Sequence, residues 1–179
     1  GDAEQIADML TPEATPTATP TPTVTVTPTK APEAAQTAVS GELVEDHGDA
    51  ASVVNNYFKA LNEHNGEAAA ANVIGMDQED IDAGSSNTRT GGYSNLSTSV
   101  LPGPDANSCV AFVSYTYRQE GIYADLPGLT EFYLVKQDDG SYKMLSVLNE
   151  EQKAYMNAAR NNENVQAMIA AVQGMRDQL

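Results

Sequence analysis

Apolar residues recur at positions 50, 53, 54, 57, 58 and 61, the spacing of one wide face of a helix. Asp49 stands where an N-cap is expected and His64-Asn65-Gly66 reads as the stop signal. The Ala-rich stretch 67–73 predicts a second, short helix. Residues 77–82 are acidic, and 83–92, rich in Gly, Ser, Asn and Thr, read as a loop. From Tyr93 onward the period changes to that of strands, over 93–100, 108–118, 129–136 and 141–148. The strongest is 108–118, with Val110 and Phe112 on one face and Ala111, Val113, Tyr115 and Tyr117 on the other. Apolar groups on both faces predict a central strand covered on two sides. Asp138-Asp139-Gly140 predicts a hairpin turn between the last two strands. Asn149 then caps a helix whose first turn holds Glu150 and Glu151, favourable against the helix dipole. A final helix starts near Asn161 or Asn162, its face made of Val165, Met168, Ile169, Val172 and Met175, with Leu179 continuing the stripe. Helices segregated from a meander of about four antiparallel strands indicate an α+β fold.

The N-terminal part is of a different kind. Residues 2–10 carry a weak helical spacing in Ala3, Ile6, Met9 and Leu10, too short to be stable alone. Residues 11–37 hold ten Thr and six Pro, with nothing large to bury. Proline fixes φ and β-branched Thr adds stiffness, so an extended tether is expected, at about 3.1 Å per residue and roughly 80 Å in all. The expected division is a Thr/Pro-rich extracytoplasmic linker over 1–42 and a folded domain with a C-terminal helical extension over 43–179. The chain starts at a glycine and shows no signal-peptide pattern, so a processed start is expected, with any signal already removed.

Charge narrows the partners. Nine Lys and Arg against 25 Asp and Glu give a net charge of −16. Nucleic acid and anionic membranes need clustered positive charge, so neither is an expected partner. No apolar run approaches the roughly 18 residues of a membrane span. The single Cys109 excludes an internal disulfide and cysteine-cluster zinc sites. Two histidines, His47 and His64, leave little for a histidine-based centre.

The segment Val53-Val54-Asn55-Asn56-Tyr57-Phe58-Lys59-Ala60-Leu61-Asn62 resembles the first helix of the nuclear transport factor 2-like superfamily. The resemblance covers about residues 45–160 and implies a cone, in which a long helix lies across a strongly bent antiparallel sheet. Tyr57, Phe58 and Leu61 would then pack on the sheet through Phe112, Val113 or Phe132. Three further segments are similar to uncharacterised surface lipoproteins of Gram-positive anaerobes: Pro102-Gly103-Pro104-Asp105-Ala106-Asn107-Ser108, Ile122-Tyr123-Ala124-Asp125-Leu126-Pro127-Gly128-Leu129-Thr130, and Asp139-Gly140-Ser141. Such relatives combine a lipid or membrane anchor, a low-complexity linker and one domain. This implies an extracytoplasmic, surface-tethered location, although the sequence contains no lipobox cysteine.

Enzymes on the cone fold place a carboxylate or a His–Asp pair inside it, often beside a tyrosine, because desolvation raises a carboxylate toward the range of a general base. Here the strands offer Tyr115, Tyr117, Tyr133 and Tyr142, and Glu131 as their only carboxylate. Tyr57, Tyr115, Tyr117 and Tyr133 are the ligand-pocket candidates, since a phenol offers an apolar face and a hydroxyl. Glu131 reads as a solvated surface group, His64 as an exposed helix-end residue, and Cys109 as an inert half-buried thiol. Residues 77–82 fail the calcium-loop pattern, with Ile81 at the fifth position and Asp82 at the sixth. Gly84 and Gly91-Gly92 lack the lysine and helix of a phosphate loop. Met168 and Met175 fit ordinary packing better than a partner surface. No catalytic set, metal or cofactor is expected. The expected function is a non-enzymatic binding module for a small molecule, a protein or a cell-wall partner. The alternatives are a dimerising spacer, as a homodimer, and an isomerase- or cyclase-like enzyme.

Overall fold

The computed structural model describes residues 38–86, 90–119, 121 and 124–179. The Thr/Pro tract and the helix expected over 2–10 lie outside the described residues. Among the described residues, five helices and six strands form an α+β unit: β1 (Val44–Glu45), α1 (Asp49–Asn62), α2 (Gly66–Ala70), β2 (Val73–Ile74), α3 (Gln78–Ser86), β3 (Thr90–Pro102), β4 (Ser108–Gln119), β5 (Leu126–Lys136), β6 (Tyr142–Leu145), α4 (Glu150–Arg160) and α5 (Glu163–Asp177). The sheet is open and mixed, in the order β1-β3-β4-β5-β6-β2, with β2 parallel to β6 and every other pair antiparallel.

The four expected strands are β3 to β6, but the expected sheet was two strands short. β1 and β2 hold two residues each and carry no period of their own. They exist because β3 and β6 offer free backbone edges: Val44 and Glu45 sit opposite Val100 and Ser99, and Val73 and Ile74 opposite Met144 and Leu145. The stretch expected as a loop after Ala83 also differs, since α3 runs on to Ser86. Gly48, not Asp49, occupies the N-cap of α1, and the cap is supplied from Asp46, whose carboxylate accepts from the backbone N–H of Gly48 and Ala51.

β4 lies between β3 and β5 and feeds both layers, as its two apolar faces predict. On one face Val110 and Phe112 join Leu101, Tyr133, Met156, Ala159 and Val165 beneath α4 and α5. On the other, Ala111 and Val113 join Val54, Phe58, Leu134 and Met144 beneath α1. Val113 and Phe132 thus meet α1 as expected, while Phe112 faces the C-terminal helices. α4 starts with a capping box, Asn149 and Gln152 bonding reciprocally. Tyr155 of α4 donates its hydroxyl to the Pro102 carbonyl at 2.7 Å, which ties the helix to β3.

The packed unit starts earlier than residue 43. It spans Ala38–Leu179, and Val39 is 5% exposed within the α4–α5 core. The backbone N–H of Val39 donates to Ala158, and the Asn162 amide donates to the carbonyls of Val39 and Gly41. A lone valine next to a polar tract leaves no periodic signal of this packing in the sequence. No helix among the described residues is long and apolar enough to cross a membrane.

Candidate functional site

Strand alternation and register bring Tyr93, Tyr115 and Tyr117 onto the α1 face of the sheet. Tyr93 sits opposite Tyr117, and Tyr115 is two residues before Tyr117 on β4. Phe58, one turn above Val54 on α1, drops onto this group, with ring centroids 4.9 Å from Tyr93 and 5.7 Å from Tyr115. Tyr57, its neighbour, turns the other way along the sheet and meets Phe132 edge-on at 5.8 Å. A continuous aromatic row therefore runs from β5 under α1 to the far end of β3 and β4. Gly128 makes room for it: a Cβ there would lie 2.5 Å from the Tyr115 ring.

Three of the four candidate tyrosines, Tyr57, Tyr115 and Tyr117, share this face. Tyr133 does not. Opposite Val110 in the register, it is buried in the α4–α5 core on the other side of the sheet. Sequence alone fixes the alternation of β5 but not which parity faces α1, and this is why the four were grouped.

At the Tyr57–Phe132 end the row opens into a groove of about 480 Å³. Its lining includes Leu61, Met76 and Met144, with Asp80, Ala83 and Gly84 of α3. Residues 80, 83 and 84 stand at i, i+3 and i+4 of α3, one face of that helix, and Met76 lies just before it. That spacing was the available signal, masked by the run of acidic and small residues around it. α3 itself buries none of its residues. It is held by close backbone contact with α2, where the Gly66 N–H donates to Ser85 Oγ at 2.8 Å. Asp77 caps it, accepting from the Asp80 N–H.

Electrostatically the row is a set of neutral donors. Burial raises the phenols of Tyr57, Tyr93 and Tyr115 above the ordinary tyrosine range, so their hydroxyls stay protonated at neutral pH. For Tyr57 the neighbouring Tyr93 and the Asp80 carboxylate push in the same direction. Among the described residues the fully buried polar side chains are Thr98, Ser108 and Asn162, none of them an acid or base.

The other candidates lie away from the row. Glu131 faces the C-terminal helices, where Arg160 of α4 forks onto both of its carboxylate oxygens. His64 follows α1 in left-handed conformation, φ 55°, and is half-buried with an unpartnered Nδ1, not an exposed helix end. His47 is exposed, 3.6 Å from Glu45. Cys109 is buried under α1, its thiol toward Tyr142. Residues 77–82 form the start of α3, and no group of three or more metal-ligating side chains gathers among the described residues. Met168 packs against the core, while Met175 is exposed at the end of α5. The arrangement can hold a flat apolar body and offer it hydroxyl donors. No family model matches the chain, and no curated protein matches it.

Proposed function

We propose that the chain is a non-enzymatic binding module, displayed outside the cell on its Thr/Pro tether, and that it binds a small, largely apolar ligand in the groove at the Tyr57–Phe132 end of the aromatic row. The observation that carries this is the lining: aromatic and thioether walls, one carboxylate, and no histidine or basic residue among the described residues. A volume of about 480 Å³ is in the range of small-molecule sites. Of the bases weighed from the sequence, Glu131 is committed to Arg160 on the opposite face, which leaves Asp80 as the one carboxylate of the groove.

The proposal extends to the family. A long α1, a short α2 and a strand meander follow the order of the nuclear transport factor 2-like cone. Register shifts between Ser94 and Ser97, with Asn95 at φ 55°, are the kind of irregularity that bends a long strand. Cone-shaped folds often pair through the outer sheet face. Here α4 and α5 of the same chain occupy that face over Val110 and Phe112, which favours a monomeric binder over a dimerising spacer.

The test is titration with N-phenyl-1-naphthylamine, a neutral dye that brightens in apolar sites. Saturable binding is expected, weakened about tenfold by Tyr57→Ser as ring contact is lost. Absence of binding, or turnover of an ester or isomerase substrate abolished by Glu131→Gln or His64→Ala, overturns the reading.

A further inference from the structure

The groove carries its charge in one place. Asp80 is part of its lining, and among the described residues no Lys, Arg or His lines the groove or pairs with that carboxylate. Tyr57 lines the same groove, with Phe132 edge-on to its ring. Asp80 is near enough to Tyr57 to add to the rise of its phenol, after burial and Tyr93. The chain as a whole carries −16.

Each ligand class meets this differently. An anion is opposed by Asp80 and by the net charge. A neutral body gains the apolar walls and nothing from the carboxylate. A protonated amine gains twice, because a carboxylate and the face of an aromatic ring both attract a cation, and more strongly where water is partly excluded.

We propose that the groove takes a ligand with an aromatic or alkyl body and a protonated amine head, the head set between the Asp80 carboxylate and the Tyr57 ring. The proposal rests on the groove being the ligand site and adds the class of ligand. α3, which buries none of its residues, is the element that presents the recognising carboxylate.

A matched series tests it: 4-phenylbutylamine, 4-phenylbutanol and 4-phenylbutyrate, titrated into the full chain at pH 7. The readout is the ¹³C-methyl resonances of the methionines. Met76 and Met144 line the groove, while Met156 and Met168 belong to the opposite core and Met175 is exposed on α5. The amine should bind about three- to tenfold tighter than the alcohol, and the acid weakest, with shifts at Met76 and Met144 alone. Asp80→Asn should bring the amine to the level of the alcohol and leave the alcohol unchanged. Glu79→Gln, one residue away, should preserve the preference. Equal binding of amine and alcohol, with Met76 and Met144 shifting, overturns the amine proposal and leaves the groove reading standing. So does an amine preference that survives Asp80→Asn, since net charge then explains it. If none of the three moves Met76 or Met144, the groove reading itself fails.

Discussion

Asn162, only 3% exposed, uses both ends of its amide. Its Oδ1 accepts from the backbone of Asn164 and Val165 and so caps α5, while its Nδ2 donates to Val39 and Gly41. Losing a cap costs about 1 kcal/mol, and stranding buried carbonyls costs about 1–3 kcal/mol more. Asn162→Ala should therefore cost about 2–4 kcal/mol in urea denaturation. Asn162→Asp keeps the cap but turns a carboxylate toward two carbonyls, and should be no more stable than the alanine variant. Cys109 makes a different residue-scale prediction. Burial, with the Asp46 carboxylate adding to it, pushes its thiol from 9.0 to about 11. A folded pKa above the unfolded one stabilises the fold fully below pH 9, and that contribution is lost as pH rises through about 11. Stability should fall over that window by about 1–2 kcal/mol more in the wild type than in Cys109→Ala. The slopes are the readout, since the alanine variant also leaves a cavity. Equal slopes would place the thiol in water.

Among the described helices, α3 alone buries none of its residues, and it lines the groove. A Cβ on Gly66 would lie 1.9 Å from the Ile81 carbonyl oxygen, inside the α2–α3 contact. Gly66→Ala should displace α3 and weaken dye binding about tenfold. Because α3 buries nothing, the same change should cost only about 1–2 kcal/mol of global stability. A large loss of stability with dye affinity intact would mean that α3 supports the core and not the groove. α1, the strands β3 to β6, α4 and α5 are legible in the sequence, since each carries an apolar pattern that can be read. β1, β2 and the second half of α3 are not, because what creates them is a partner: a free strand edge in two cases, the backbone of Gly66 in the third. The site was legible to the same degree. Tyr57, Tyr115 and Tyr117 follow from periodicity within one element, whereas the parity of Tyr133 and the arrival of Asp80 at Tyr57 depend on how elements meet.

For the whole molecule, the packed unit from Ala38 predicts where truncation begins to hurt. A chain beginning at Ala38 should melt with the full chain. One beginning at Leu43 loses the buried Val39 side chain and three hydrogen bonds to Ala158 and Asn162. Burial of a valine and a few bonds are worth about 2–4 kcal/mol, or about 10 °C in a domain of this size. Equal melting of the two would mean that the Val39 contacts carry no weight. The two apolar clusters have a longer-range consequence. The sheet lies between them, Phe58 and Met144 on one side and Met156 and Val165 on the other, with β3, β4 and β5 each supplying alternate residues to both. Substitutions without shared partners add independently. The groove side can therefore be rewritten by mutation, one wall residue after another, while the α4–α5 side goes on holding the sheet together. On the proposed binding reading, a lineage built on this chain can drift from ligand to ligand without first reinventing its scaffold.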